Sequence, residues 1–239
     1  MTIDPNLVKA ATESKVVEKV YDDLFSQPIK EVSKIVNWLI KTLQIPLYPI
    51  QMTAAWQERL ENRLKNSVDK VTQENLVKPP ESFFIPIVNQ LSYMEEGNVL
   101  VDLFQNLLAR SMDKTRNTEA HPAFISIINQ LSPDEALILS HLKSNSIKTT
   151  HLYDYNRETN KFTLNCTEEI TFPVDSLTFS HNFDMYLNHL EHINLICVIN
   201  ADIEPLWNAP EKNEQIGERK TLTLSYTLFG NLFIKACFT

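Results

Sequence analysis

A mainly α fold is predicted: an all-helical N-terminal half over residues 1–130, followed by a winged-helix-like α+β module over residues 131–239. Three observations predict it. Only three glycines stand among 239 residues, too few for a turn-rich all-β chain or a glycine-rich phosphate loop. Up to residue 130 the apolar side chains recur at helical spacing, whereas beyond residue 143 they fall into short strand-like runs. Two helix starts, ten residues apart near position 130, mark the seam between the halves.

In the first half, Leu7, Val8, Ala11, Val16, Val17, Val20 and Leu24 place a helix over 5–26. Ile29, Val32, Ile35, Val36, Leu39, Ile40 and Leu43 form a wide stripe on the next, which Pro46 and Pro49 end. Residues 53–71 make a polar helix with a narrow seam of Leu60, Leu64 and Val68 and a Glu61–Lys65 pair at i, i+4. After Pro79-Pro80, two more helices follow, Glu81 to Tyr93 and Asn98 to Met112, on either side of Gly97. His121-Pro122 then opens a helix, because proline's locked φ and missing N–H suit a first helical position. Ser132-Pro133-Asp134-Glu135 opens another with a capping box, Ser132 taking the amide of Glu135 and Glu135 reaching back to that of Ser132. Asp134 adds negative charge at the same positive dipole end.

The second half continues with strands near 147–155 and 161–166 around an Arg-Glu-Thr-Asn turn, then a helix over about 181–193. Ile196–Ile199 and Thr221–Tyr226 read as a hairpin joined by a long polar loop over 200–220, and a helix over 228–238 closes the chain. Helix, strands, helix, strand, wing and strand is the order of a winged helix.

Glu74 to Pro80 (ENLVKPP), Leu103 to Asp113 (LFQNLLARSMD), His121-Pro122-Ala123-Phe124 and Leu131 to Glu135 (LSPDE) carry a family likeness. With them the chain resembles the abortive infection alpha (Abi-alpha) family of bacterial phage-defence proteins, well over residues 20–143 and loosely beyond. The resemblance implies an antiviral, abortive-infection setting and brings no catalytic residues with it.

The chain carries −8, from 22 basic and 30 acidic residues, and residues 131–239 hold −6 of it, with 8 basic against 14 acidic. That surface disfavours nucleic acid. The 181–193 helix, HNFDMYLNHLEHI, has neither Lys nor Arg for phosphates or guanine, so the module is expected to contact protein. The residues after Met1 show no apolar signal region, and Cys166, Cys197 and Cys237 read as buried reduced thiols, so a cytoplasmic protein is expected.

Three patterns bear on chemistry. Arg116-Asn117-Thr118-Glu119-Ala120-His121 resembles the R-N-x-x-x-H pattern of the HEPN ribonucleases, which implies His121 as general acid or base and Arg116 as stabiliser of phosphorane charge without metal. The plainer reading makes His121 a helix-start residue. His189 and His192, three apart with Glu191 between them and His181 earlier, suggest zinc, but no fourth ligand has motif spacing, so no metal and no cofactor are expected. The run over 35–50, with Trp38, Leu39, Leu43 and Tyr48, is too short and interrupted to span a bilayer. It is a candidate for membrane-interface or partner contact, against a buried core helix as the plainer reading. The leading functional expectation is a non-catalytic phage-defence protein acting through protein contact or self-association, a phage component among the candidate partners; the ribonuclease and the membrane effector are its alternatives.

Overall fold

A computed structural model describes residues 54–208 and 214–238. The predicted helices over 5–26 and 29–43, with Trp38, Leu39, Leu43 and Tyr48, lie outside the described residues. Two compact units divide at Gln130/Leu131, and the chain from Ala236 onward groups with the first.

The first unit is helical. Helix α1 (Ala54–Asp69) buries Leu60, Leu64 and Val68, one residue per turn. Helix α2 (Glu81–Tyr93) buries Phe83, Phe84, Ile87, Val88 and Leu91. Helix α3 (Leu100–Met112) is central: every residue from Leu103 to Met112 is buried, the polar Gln105, Asn106, Arg110 and Ser111 included. Each of those polar groups then needs an internal partner. Helix α4 (Ala123–Gln130) adds Phe124, Ile125 and Ile128.

Arg63 of α1 joins these helices. Its guanidinium donates to the carbonyls of Leu91, Met94 (2.9 Å) and Glu95 (3.0 Å), capping the C-terminal end of α2. Its own carbonyl accepts from Gln105 Nε2 of α3 at 3.0 Å.

The second unit begins with α5 (Pro133–Leu142), whose capping box is formed: Ser132 Oγ accepts from the Glu135 amide, and Glu135 Oε2 accepts from the Ser132 amide at 2.7 Å. Strands β1 (Ile147–Asn156) and β2 (Lys161–Ile170) make one hairpin. Its turn places Asn160 at φ 52, a left-handed conformation that asparagine tolerates. After α6 (Phe183–His192), β3 (Ile196–Trp207) and β4 (Gln215–Tyr226) make a second hairpin. The four strands form one antiparallel sheet in the order β2-β1-β4-β3. Helix α7 (Leu228–Cys237) follows.

Ile138, Leu139, Ile147, Phe172, Phe183, Leu190, Leu195 and Phe233 fill this unit's core. Phe172 stacks on Phe183 at 5.4 Å. The buried Asp134 carboxylate takes the amides of Thr178 and Phe179 and the hydroxyl of Tyr186, fixing the connection before α6 to the start of α5.

The sheet overturns the mainly α class and the winged-helix expectation: the chain is α+β. Four strands of 10 to 12 residues replace a short winged sheet, and most of the expected 200–220 loop is strand. A strand's backbone hydrogen bonds are satisfied along its ladder whatever its side chains are, so a polar sequence does not prevent pairing. Cross-strand charges help, Arg219 of β4 lying between Glu168 of β2 and Glu204 of β3, each at 2.7 Å. Sequence patterning marks strands by a buried alternate face, and β2 is exposed from Lys161 to Glu169. The same exposure corrects the reading of the thiols: Cys237 is buried, Cys197 half-buried and Cys166 exposed.

Candidate functional site

Two features stand out, one in each unit. In the first, the C-terminal part of α3 carries Asn106 and Arg110 one turn apart on a buried face. Lys70, just past α1, donates to Asn106 Oδ1, and Asn106 Nδ2 donates to the carbonyl of Cys237 at 2.7 Å. Asparagine thereby orients the lysine. Burial lowers the Lys70 ammonium below its ordinary range, outweighing the attraction of Asp102.

Arg116, in the turn after α3, donates from Nε to Glu119 Oε2 at 3.0 Å and brings its terminal nitrogen within 2.9 Å of the same oxygen. Arg110 Nε is ion-paired with that oxygen at 3.6 Å, beyond hydrogen-bond reach, and is buried with no hydrogen-bond partner. Asp113 turns one carboxylate oxygen to the amide and hydroxyl of Thr115. Lys70, Val71, Asn106, Ala109, Arg110, Asp113 and Arg116 line a pocket of about 250 Å³.

His121 is not among the residues lining that pocket. Its Nδ1 accepts from the Ala123 amide at 3.1 Å and its carbonyl from that of Phe124 at 2.9 Å, so it caps the start of α4. Among the described residues Arg116 and His121 therefore serve different local structures, an ion pair and a cap. Of the other histidines, His189 pairs through Nδ1 with Glu135, and no group of three metal-binding side chains occurs among the described residues. No helix among the described residues is long and apolar enough to cross a membrane. Sequence reasoning missed Lys70, Asn106 and Arg110. The only local signal was a polar pair at i, i+4 inside an otherwise apolar helix face.

The second unit offers a surface. Register sorts the sheet into two faces. One carries Leu152, Asp154, Glu204, Arg219 and Thr221 and is mainly polar. The other begins with buried Ile147, Thr149, His151 and Leu224 and continues outward through Tyr153, Tyr155, Phe162, Leu164, Ile203 and Trp207. Tyr155 and Phe162 lie opposite each other, ring centroids 5.0 Å apart. Leu164 and Ile203 are each 54% exposed and Trp207 43%. The inner part of this face is covered and the outer part is open. Within the open part Lys220 and Glu218 of β4 stand two residues apart on the same side, opposite His151 and Tyr153 of β1.

No curated protein and no solved structure matches the chain. A family model, described as abortive infection alpha, matches residues 53–237 and so takes in both the helical unit and the sheet. The chain belongs to this abortive infection alpha family, whose setting is phage defence.

Proposed function

We propose that the protein acts in abortive infection through protein–protein contact and not through catalysis, using the open part of the apolar sheet face, and that its partner there is a second copy of the chain. The observation that carries this reading is the continuity of one face: side chains that form core at its inner end continue as exposed Phe162, Leu164, Ile203 and Trp207 at its outer end. Contiguous exposed apolar surface on a domain marks an interaction site. Charge supplies the argument for self-association. When two such faces pack about a two-fold axis lying between Glu218 and Lys220, each lysine meets the other copy's glutamate, because an isologous contact pairs each residue with its counterpart's neighbour. Packed sheets lie about 10 Å apart, a separation that large interdigitating side chains fill.

Sedimentation of the full chain and of the double variant Leu164→Asp with Ile203→Asp tests the reading, alongside plaque counts on cells expressing each. The wild type is expected to dimerise as concentration rises. The variant is expected to stay monomeric with an unchanged far-ultraviolet spectrum and to lose phage protection. A wild type that remains monomeric, or a variant that still dimerises and protects, overturns it.

A further inference from the structure

The pocket of the helical unit has no part in that contact, and its chemistry points elsewhere. Three cations line it, Lys70, Arg110 and Arg116, against one lining carboxylate, Asp113. Glu119 answers Arg116 and approaches Arg110, and Asp102 attracts Lys70 from outside the pocket lining. The Arg110 side chain is more than nine-tenths buried, yet its Nε–H finds no acceptor. A buried guanidinium N–H left empty costs more than an ordinary unmade hydrogen bond, so its persistence calls for an acceptor. The Lys70 ammonium, part-buried, is held in place by Asn106, which itself is anchored by Cys237.

We propose that this pocket binds a phosphate group, free or at the end of a small phosphoester, with Lys70, Arg110 and Arg116 as its ligands. Geometry and charge select that class. Two guanidinium groups present planar forks that match tetrahedral oxyanions, and a lysine adds a compact point charge. A pocket of about 250 Å³ lies below the usual span for drug-sized ligands, which begins near ~300 Å³, and so suits a small group. Val71 and Ala109 give it an apolar wall, where an ion pair is screened less than in open water. A phosphate in the pocket adds oxygen acceptors and negative charge beside the Arg110 guanidinium and the Lys70 ammonium. The competing account is a cation cluster serving only the C-terminal ends of α1 and α3, whose dipoles favour positive charge without any ligand.

Thermal melting and titration calorimetry of the full chain separate the two, with inorganic phosphate, adenosine 5′-monophosphate and chloride at matched ionic strength as the probes. Saturating phosphate is expected to raise the midpoint by roughly 5 °C over chloride. Heat on titrating inorganic phosphate means the group alone is read, and heat only with the nucleotide means its carrier contributes; both support the site. Lys70→Gln and Arg116→Gln are each expected to weaken binding by about tenfold or more, from loss of one charge-assisted hydrogen bond, while melting near the wild-type temperature in chloride. Arg110→Gln is less informative alone because its burial exposes it to a folding defect. Phosphate that shifts the midpoint no more than chloride, or both surface variants binding as the wild type does, overturns the proposal in favour of the ligand-free cluster.

Discussion

Replacing Arg63 by methionine keeps the apolar stem, and with it most of the packing, while deleting every donor. The three carbonyls capped by the guanidinium differ in what they lose. That of Leu91 is buried, so its desolvation is uncompensated, a cost of about 1–3 kcal/mol. Those of Met94 and Glu95 are part-buried and recover water, losing about 0.5–1 kcal/mol each. The sum is about 3 kcal/mol, which for a chain of this size lowers the thermal midpoint by roughly 6–12 °C. Urea unfolding followed by circular dichroism reads it, provided the slope of the transition is unchanged. Arg63→Lys, with one compact donor group in place of a fork, is expected to recover only part of the loss. A loss under about 1 kcal/mol for Arg63→Met would refute the reasoning, since it would mean that α2 ends as well in water as on Arg63.

Ser132→Ala removes the cap of α5 and is expected to cost about 1 kcal/mol, read as a lower urea midpoint. Asp134 gives a pH signature: burial alone would raise its pKa, but the amides of Thr178 and Phe179 and the Tyr186 hydroxyl outweigh burial and hold it below the ordinary value. A depressed folded pKa contributes stability above the unfolded value near ~3.9, lost as pH falls through the folded one, so wild type should lose stability below about pH 4 more steeply than Asp134→Asn. Gly230→Ala is expected to destabilise by more than about 2 kcal/mol or prevent soluble expression, because a Cβ there would stand 1.9 Å from the Leu195 carbonyl oxygen. Wild-type melting of that variant would show that α7 shifts freely.

What could be read from the sequence was local. The Ser132–Glu135 box and the His121 start are written within four residues, and both caps are made. Helical stripes such as Leu60, Leu64 and Val68 are equally plain, since burial on one side imposes the period. The outer sheet was opaque for the opposite reason. Most of its strands bury neither face, so nothing imposes an alternation, and the ladders that hold residues 200–207 and 215–220 are backbone bonds that leave no trace in residue type. The pocket was opaque because its members are brought together over distance: Lys70 meets Asn106 across 36 residues, and Asn106 meets Cys237 across 131. The R-N-x-x-x-H pattern was visible, yet spacing along the chain said nothing of whether Arg116 and His121 would face one another.

The hydrogen bond from Asn106 to the carbonyl of Cys237 bears on the order of events at the ribosome. Helices α1 to α4 emerge first, but their buried amide has no acceptor until the entire sheet-bearing segment has been made, so the unit begun first is finished last. A chain halted before residue 236 would expose that amide and open the space filled by the buried Ala236 and Cys237. The Cys237 thiol is held unreactive by burial, well above its ordinary pKa, and so becomes a clock: its accessibility to an alkylating reagent during synthesis or refolding dates the closure of the helical unit.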